Sequence, residues 1–446
     1  MARTSRDTIH EAQATARLRK ELRTLAQPVS GPRDIDRLMT RIGDARYVLL
    51  GEASHGTSEY YTWRAAISQR LIRDKGFSFV AVEGDWPDCM GIDRFIKGRT
   101  TAGLSARDVL HAFERWPTWM WANEEVSDFV EWLEQHNQGR QSAEQVGFYG
   151  LDVYSLWDSL YAIMNYLRRV DPLTLTAARR AFRCFEPYGE DVQEYARAAR
   201  FVPNSCEDEV VTLLSQMRSR LDAGSADQDE AAFQARQNAE VLKNAESYYR
   251  AMVRGGPGSW NIRDRHMSET LERLMQKHGP KAKAIVWEHN THVGDARFTD
   301  MASDGMVNVG QLVREAHAAQ DVVLVGFGSY QGSVIAGSEW GATPEVMLVP
   351  PARPGSWESL LHEGAAKGPQ LLTFERASPE MLEPRGHRAI GVVYQPEFEA
   401  YGNYVPTVLP RRYDSFVFLD RTQALRPLHV TARTEDEVPE TYPSGM

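Results

Sequence analysis

One short segment of the sequence places a histidine beside an acid. In GEASHG (51–56), Glu52 and His55 lie three residues apart, between glycines that permit a tight turn and close approach of the backbone to a ligand. A histidine suits general-base catalysis because its ordinary pKa lies near ~6.5, and a neighbouring carboxylate can orient the imidazole and stabilise its protonated form. Arg64, nine residues after His55, could steady a carboxylate or a developing oxyanion, although a surface arginine fits the same position.

Three further apolar segments also end in acids or histidines. Glu83 and Asp85 end the second segment, Asp152 ends the third, and His289 and His292 follow the fourth. Since Glu83 and Asp85 are two residues apart, an extended strand places them on the same side, where one could pair with the base histidine and the other cap the next helix. Polar residues are common where strands meet loops, but their recurrence after four segments favours a shared site.

His289 and His292 directly follow Glu288, and the three together invite comparison with a metal site. The H-E-x-x-H pattern of helical zinc sites is absent, and these residues follow a predicted strand. Clusters of His and Glu either bind a divalent ion or carry out metal-free acid–base chemistry. We therefore expect no cofactor as the first choice and keep a divalent metal ion as the alternative. Its candidate ligands are Glu52, His55, Glu83 and His289.

Several familiar catalytic schemes are missing from the sequence. There is no G-x-S-x-G motif for a serine nucleophile and no P-loop. Cys89 is a lone helix cysteine, which is most often a small core residue. Water activated by a base is the mechanism that remains.

Five of the eleven tryptophans fall within 47 residues, and three of them form the cluster WPTWMW (116–121). Proline interrupts this cluster and its spacing matches neither a helix nor a strand, which predicts a loop. An aromatic loop beside a catalytic edge suits a bulky apolar or saccharide-bearing ligand, although packing of the core is as good an explanation for any one tryptophan. The predicted substrate-binding residues are Trp116, Trp119, Trp121, Asp85 and Asp152.

The elements that must position these residues alternate between helix and strand. Short continuous apolar strands are predicted over 46–51, 77–83, 146–151, 284–289 and 321–326. Helices are predicted over 34–42, 60–75, 88–97 and 124–136. This alternation predicts an α/β fold with a mainly parallel central sheet flanked by helices. Because ligands bind at the carboxyl ends of parallel strands, all four polar strand ends should meet at one edge.

The remaining sequence divides the chain into further parts. Residues 1–154 and 255–332 form the two parts of the α/β core, and 155–254 read as an inserted all-helical subdomain because no strand-like run occurs there. A smaller C-terminal α/β lobe is predicted over 333–433. Its strands are predicted over 345–349, 370–374, 389–394 and 415–419. Residues 434–446 are predicted to be a flexible tail.

Composition narrows the function classes. The chain has 446 residues, with 42% hydrophobic and 25% charged, which is ordinary for a soluble globular protein of several units. The net charge of −10 argues against a nucleic-acid partner, and no apolar run approaches the ~18 residues of a membrane span. Three cysteines without C-x-x-C spacing support neither a disulfide framework nor a thiolate zinc site. With no secretory signal at the N-terminus, we expect a cytoplasmic protein.

With these residues in hand, the chain resembles the erythromycin esterase family, bacterial hydrolases that open the lactone ring of macrolide antibiotics. The resemblance rests on LLGEASHGTSEYYTWRAAISQRLI (49–72), FVAVEGDWPD (79–88), PTWMW (117–121), GLD (150–152), WNIRDRHMSETL (260–271) and WEHNTHVGDAR (287–297). It implies a three-part α/β architecture with a helical insert, and His55 as the base that activates water. The other active-site positions that it implies are Glu52, Arg64, Glu83, His289 and His292.

The predicted function is hydrolysis of a carboxylic ester. The candidate substrate is the macrolactone of a macrolide antibiotic, and the candidate biological role is antibiotic resistance. In this hypothesis His55, oriented by Glu52 or Glu83, takes a proton from water, and the hydroxide attacks the carbonyl. Arg64 and one of the two later histidines stabilise the oxyanion or protonate the leaving alkoxide. The alternatives are a non-hydrolytic protein that binds a metal or cofactor, and an enzyme acting on polysaccharide esters. The partner in the main hypothesis is a small ester or lactone.

Overall fold

The chain folds around a twisted sheet in the computed structural model, which describes residues 5–188, 192–201, 205–221, 230–364 and 367–429. The strands are β1 Gln27–Pro28, β2 Tyr47–Leu50, β3 Phe79–Asp85, β4 Gly147–Asp152, β5 Ala284–Trp287, β6 Val322–Ala336, β7 Glu345–Val349, β8 Gln370–Thr373, β9 Arg385–Arg388, β10 Tyr404–Thr407 and β11 Ser415–Thr422. The central order is β1-β8-β11-β6-β2-β5-β3-β4, and all neighbours from β11 to β4 run parallel. The predicted mainly parallel α/β fold is confirmed.

Helices cover the sheet and form the insert. They are α1 Ser5–Leu25, α2 Asp36–Ile42, α3 Ser58–Lys75, α4 Trp86–Ile96, α5 Ala106–Leu110, α6 Glu124–Asn137, α7 Leu156–Val170, α8 Leu175–Phe185, α9 Val192–Phe201, α10 Glu207–Leu221, α11 Glu230–Met252, α12 Gly258–His278, α13 Asn290–Val293, α14 Val309–Ala316, α15 Trp357–Gly364, α16 Glu399–Gly402 and α17 Leu409–Arg412. The four helices predicted before residue 137 are found with their ends shifted by two residues or fewer.

Both faces of the central strands are buried, which explains their continuous apolar sequences. Successive residues of a strand point to opposite faces. In β2, Val48 and Leu50 therefore join a core with α2, α3 and α6, whereas Tyr47 and Leu49 join a second core with α12, α14 and α15. A strand buried on both sides has no polar positions until it ends. The first polar side chains after each strand consequently lie at its carboxyl end, where the site forms.

The insert is helical in its described part, as predicted. Helices α7 to α11 pack around a separate cluster that includes Leu160, Leu213 and Leu242. Helix α11 also lies against α12, which connects the insert to the strand that carries the later histidines. No helix in the described ranges is long and apolar enough to cross a membrane.

The expectation that the chain contains no disulfide is wrong. Cys184 and Cys206 are bonded to each other, with their Cα atoms 5.8 Å apart. They follow no motif spacing, and the packing of α8 beside α10 is what brings them together. Since disulfides persist mainly in oxidising compartments, this bond does not favour the predicted cytoplasmic location. Cys89 is a buried free thiol in the core, as predicted, and burial raises its pKa.

The strands of the C-terminal part belong to two sheets. Strands β8 and β11 extend the central sheet, whereas β9 and β10 form a two-stranded sheet apart from it. The strand predicted over 389–394 is absent, and isolated bridges at Ile390 and Val393 stand in its place. Apolar composition alone does not reveal which sheet a strand joins, because that depends on contacts distant in sequence. The predicted tail, 434–446, lies outside the described residues.

Candidate active site

The loop after β2 is shaped by two close backbone contacts. A Cβ atom on Gly51 would lie 2.1 Å from Asn290 Oδ1, and one on Gly56 would lie 1.8 Å from the carbonyl oxygen of Ile335. Any larger residue at either position would displace these neighbours. The glycines of GEASHG therefore allow the loop to pack closely against other parts of the protein. The sequence predicts instead that they allow the backbone to approach a ligand.

His55 is oriented by an acid within the same loop. Its Nδ1 lies 3.0 Å from Glu52 Oε1, and Glu52 Oε2 accepts a hydrogen bond from Arg64 Nη2 at 2.6 Å. All three side chains are buried, with His55 the most exposed at 7%. Because Nδ1–H is donated to Glu52, Nε2 is the nitrogen that can accept a proton. The arrangement is that of a histidine base held by a carboxylate.

Arg64 lies behind Glu52 and does not line the cavity that His55 faces. Its guanidinium is 4.4 Å from the ring centre of Tyr61 and 5.0 Å from that of Trp287. Of the two predicted roles, the geometry supports steadying a carboxylate, because Arg64 bonds to Glu52 and is absent from the cavity lining. Arg64 is a positioning residue for Glu52.

Glu83 makes no hydrogen bond with His55, so the predicted alternative in which it orients the base is wrong. Its Oε2 accepts from the backbone N–H of His289 at 2.8 Å, and its Oε1 accepts from Arg263 Nη2 at 2.8 Å. Burial alone would raise the pKa of Glu83, but the charges of His292 and Arg263, together with that of His55 when it is protonated, hold it far below its ordinary value. Glu83 is therefore an ionised acid that fixes the loop after β5.

Arg263 is the centre of a buried ion network. It donates to both oxygens of Asp152, at 3.0 and 2.7 Å, in addition to Glu83. Its Nη1 lies 3.0 Å from His292 Nε2, and His292 Nδ1 lies 2.9 Å from Asp264 Oδ1. Burial opposes a charge on His292, but Asp264 and Glu83 raise its pKa to about 9. When His292 is protonated, its Nε2–H points to Glu83 at 3.4 Å and no longer accepts from Arg263.

His289 is a neutral histidine whose two ring nitrogens have different surroundings. Its Nδ1 accepts from the backbone N–H of Thr291 at 3.3 Å and lies 2.8 Å from the hydroxyl of Thr291. Burial lowers the pKa of His289 well below its ordinary value, and His55 lowers it further when His55 is protonated. Since Nδ1 accepts, the proton is on Nε2, which is buried and makes no hydrogen bond of ordinary geometry in the described chain, although the backbone of Ala53 lies close enough to raise the pKa of His289. The ring centres of His289 and His55 are 4.9 Å apart, so this donor lies beside the base.

Glu288 is a buried acid without a hydrogen-bond partner. It is fully buried, and neither of its carboxyl oxygens is bonded within the residues that the structure describes. Burial raises its pKa well above the ordinary value; His292 opposes this shift, and the charges of Glu83 and Asp264 add to it. Glu288 therefore keeps its proton to a higher pH in the folded protein than in the unfolded chain.

We expect Glu288→Gln to stabilise the protein increasingly as the pH rises. Because the folded pKa is raised, the titration of this acid does not change the free energy of unfolding below its unfolded pKa of ~4.3. Above that pH it lowers the free energy of unfolding progressively. Glutamine does not titrate and escapes this loss. Urea unfolding at several pH values should show the advantage of the variant growing by up to ~1.4 kcal/mol per pH unit. A difference independent of pH would contradict the buried, unpaired acid.

The four strand ends meet at one cavity, as predicted. It encloses about 810 Å³ including its open mouth, within the range of ligand pockets. His55, Glu83, Asp85 and Asp152 line it, together with the loop after β5 that carries His289 and His292. Glu52 does not line the cavity but is bonded to His55, which does. The cavity thus combines a base, a neutral donor and a fixed ion network.

The predicted aromatic residues are divided between cavity and core. Trp121 lines the cavity, and its Nε1–H donates to the carbonyl oxygen of Glu83 at 3.1 Å. Trp116 and Trp119 are buried in the core beside α3 and α6 and do not line the cavity. Spacing alone does not separate these positions, because the turn over 118–120 rotates neighbouring side chains apart.

Metal-binding geometry does not occur at the predicted ligands. Among the described residues, no group of three or more His, Cys, Asp or Glu side chains is arranged to hold a metal ion. Both oxygens of Glu52 are already engaged by His55 and Arg64.

Sequence reasoning assigned no role to Arg263, Asp264 and Arg115. A signal for the first two was present in the sequence. The apolar face of α12 repeats through Trp260, Met267 and Leu271, and Arg263 and Asp264 fall on that face. A charged pair on the buried face of a helix indicates partners of opposite charge. Arg115 carries no comparable pattern, because it lies outside the helices and strands.

Comparison with known proteins gives three findings. The family model described as erythromycin esterase matches residues 72–422. Among curated relatives, "Erythromycin esterase type II" of Escherichia coli is 24% identical over 323 residues, covering 68% of this chain and 73% of its own length. "Putative hydrolase YbfO" of Bacillus subtilis strain 168 is 22% identical over 430 residues and covers 89% of each chain.

A solved structure shares the fold. The crystal structure of a succinoglycan biosynthesis protein superimposes with a TM-score of 0.73 at 20% identity, covering 92% of this chain and 98% of that chain. The match extends over the sheet and the insert alike, since little of either chain is left out.

Proposed function

The chain belongs to the erythromycin esterase family, and from that premise we propose that it hydrolyses a carboxylic ester by attack of a water molecule that His55 activates. The observation that carries the proposal is the hydrogen-bonded series from Arg64 through Glu52 to His55, which ends at the cavity. A base oriented by a buried carboxylate has its accepting nitrogen aimed at one place and its charged form stabilised. The cavity is where an ester would have to bind.

The proposed reaction conserves atoms and protons. Water gives a proton to His55 Nε2 while its oxygen forms the new bond to the ester carbonyl carbon. The carbonyl oxygen becomes an oxyanion and accepts a hydrogen bond from the Nε2–H of His289. The tetrahedral intermediate then releases the alkoxide, which takes the proton back from His55. The network around Arg263 holds Glu83, and Glu83 holds the backbone of His289.

His289 is favoured over His292 as the oxyanion donor because its Nε2 makes no hydrogen bond of ordinary geometry with any described residue. The two nitrogens of His292 face Asp264 and the Arg263–Glu83 pair. His292 also stacks on Trp260 with ring centres 4.5 Å apart. These contacts fit a residue that holds the network in place.

We expect His289→Asn to lower kcat by about 10² to 10³, the usual cost of one oxyanion donor, with a smaller change in KM. The backbone N–H that Glu83 binds is retained, so the fold should persist. Steady-state kinetics on an ester that the wild type cleaves measures the loss. Thr291→Val, which removes only the hydroxyl facing Nδ1, should lose less; an equal loss in both variants would mean that His289 acts through the loop conformation.

A macrolactone is the proposed substrate, supported by the family and by the name of the relative from Escherichia coli. Mass spectrometry of macrolide incubations tests it: hydrolysis adds one water to the antibiotic. The His55→Asn variant serves as the control and should leave the mass unchanged. Cleavage of saccharide esters with intact macrolides would instead favour the alternative of a polysaccharide substrate.

A non-hydrolytic binding protein is the remaining alternative. Elemental analysis of protein purified without chelators separates it from the hydrolase. A stoichiometric metal ion in a protein that cleaves no ester would contradict hydrolysis, whereas ester cleavage that survives chelation supports the His55 mechanism.

A further inference from the structure

Helix α8 of the insert carries arginines on its exposed side and contains no acid. Arg179, Arg180 and Arg183 are all exposed and are spaced as one face of a helix requires, whereas the opposite side of α8 is buried and apolar. Arg179 and Arg183 are four residues apart, and like charges at this spacing destabilise a helix. The stability of α8 therefore gives no reason for this charge pattern.

The end of α7 adds two more arginines, both of them exposed in its last turn. Residues 156–185, which comprise α7, α8 and the turn between them, contain five arginines and two aspartates, in a chain whose net charge is −10. None of the five arginines forms an ion pair with a residue that the structure describes. We call them the basic face: Arg168, Arg169, Arg179, Arg180 and Arg183.

The acids of the same two helices have other positions or other contacts. Asp158 lies in the first turn of α7, at the opposite end of that helix from its two arginines. Asp171 lies in the turn between the helices, where its carboxylate accepts hydrogen bonds from the backbone N–H of Leu173 and from the backbone N–H and hydroxyl of Thr174. The positive charge of the basic face is therefore left for a partner outside the described chain.

Apolar side chains are exposed beside the basic face. In the turn between α7 and α8, Leu173 is 70% exposed, and Val170 just before it is 60% exposed. An aromatic group joins the two helices: the ring centre of Tyr161 lies 6.1 Å from that of Trp157 and 6.1 Å from that of Phe182. Because Phe182 directly precedes an arginine of the basic face, the apolar and basic side chains belong to one surface.

This combination fits the surface of a lipid bilayer with anionic headgroups. Arginines close to such a surface are attracted by the lipid phosphates, and neighbouring aliphatic and aromatic side chains enter the boundary between headgroups and acyl chains. A nucleic acid would match the charge, but Val170 and Leu173 are aliphatic and offer no ring on which a base could stack. Charge complementarity and the exposed aliphatic side chains together favour the lipid.

We propose that the basic face, together with Val170 and Leu173, docks the helical insert on the surface of a bilayer that contains anionic lipids. The proposal is for attachment at the surface, since no helix in the described ranges could span a membrane. The net negative charge of the whole chain is repelled by the same lipids, so the basic face sets the orientation of docking. Docking does not depend on the proposed ester hydrolysis.

The test is cosedimentation of the full chain with vesicles made of equal parts phosphatidylglycerol and phosphatidylcholine. We expect wild type to bind them and not to bind vesicles of phosphatidylcholine alone. Replacing Arg179, Arg180 and Arg183 together by glutamine should weaken binding by about 100-fold, because each arginine near an anionic surface strengthens it by roughly 5-fold. Raising the salt from about 0.1 M to about 1 M shortens the Debye length from about 10 to about 3 Å and should release the protein.

A second variant tests the apolar contribution. Leu173→Ser should weaken binding by about 10-fold, the usual scale for losing the burial of one aliphatic side chain. Leu348→Ser is its matched control, because Leu348 on β7 is also 70% exposed. The control for the arginines is the combined replacement of Arg37, Arg94 and Arg265 by glutamine, three exposed helix positions outside the insert. Both controls should bind as wild type does.

Every substituted side chain is exposed, so the variants should fold, and circular dichroism checks that they do. Failure of wild type to bind the anionic vesicles would overturn the proposal, and so would equal losses in the controls. If the arginine variant lost binding while Leu173→Ser bound at full strength, the surface would be a general polyanion site and lipid docking would be wrong. Binding of single-stranded RNA in preference to the vesicles would also overturn it.

Discussion

Replacing His55 by asparagine should lower kcat/KM by at least about 10² and as much as about 10⁴, the range that a positioned general base contributes. Asparagine can still bond to Glu52 but cannot take a proton from water. The loss should occur in kcat more than in KM, because the base acts on water during the chemical step. Kinetics at several pH values measures it.

The fold should survive this change, since His55 contributes one hydrogen bond at the rim of the core. The melting temperature and far-ultraviolet circular dichroism establish that point. His136→Asn is the matched control, because His136 lies in the last turn of α6, outside the cavity. Near-wild-type activity in pure His55→Asn would refute the base assignment, and so would an equal loss in the control.

The location of the site could be predicted because buried parallel strands have a recognisable sequence pattern. Strands such as β2 and β5 are apolar on both faces, so their first polar residues mark the carboxyl ends. Parallel pairing then brings those ends to one edge without further information. Glu52, His55 and His289 were placed near one another by this argument alone.

The pairings within the site could not be predicted in the same way. Whether Glu52 or Glu83 orients His55 depends on side-chain directions in two loops. Both pairings are consistent with the sequence. Glu83 bonds to Arg263 because α12 places this buried cation next to it. The strand predicted over 389–394 does not form for a related reason. Its segment makes one backbone hydrogen bond to Ala53 and two to Gly337, and these do not continue into a ladder. Contacts between distant segments decide such details.

Replacing Arg263 by methionine should destabilise the protein by about 3 to 5 kcal/mol, the cost of leaving a buried charge without its partner. The guanidinium is buried and bonded to Asp152 and Glu83, both of which are also buried. Methionine fills much of the volume but supplies no donors. Urea unfolding at neutral pH measures the loss, and Arg107→Met, which breaks an exposed pair with Glu124, should cost at most about 1 kcal/mol.

A second substitution tests whether uncompensated charge is the cause. If it is, adding Asp152→Asn to Arg263→Met should recover part of the lost stability, because one of the carboxylates left without a partner is removed.

The loss of stability caused by Arg263→Met should also become smaller on acidification. Arg263 helps to hold the folded pKa of Glu83 and Asp152 low against the effect of burial. That contribution is present above the unfolded pKa of ~4 and is lost as the pH falls through the folded values. A cost that is constant with pH and unrelieved by Asp152→Asn would assign Arg263 to packing and remove the electrostatic basis for the fixed position of Glu83 and His289.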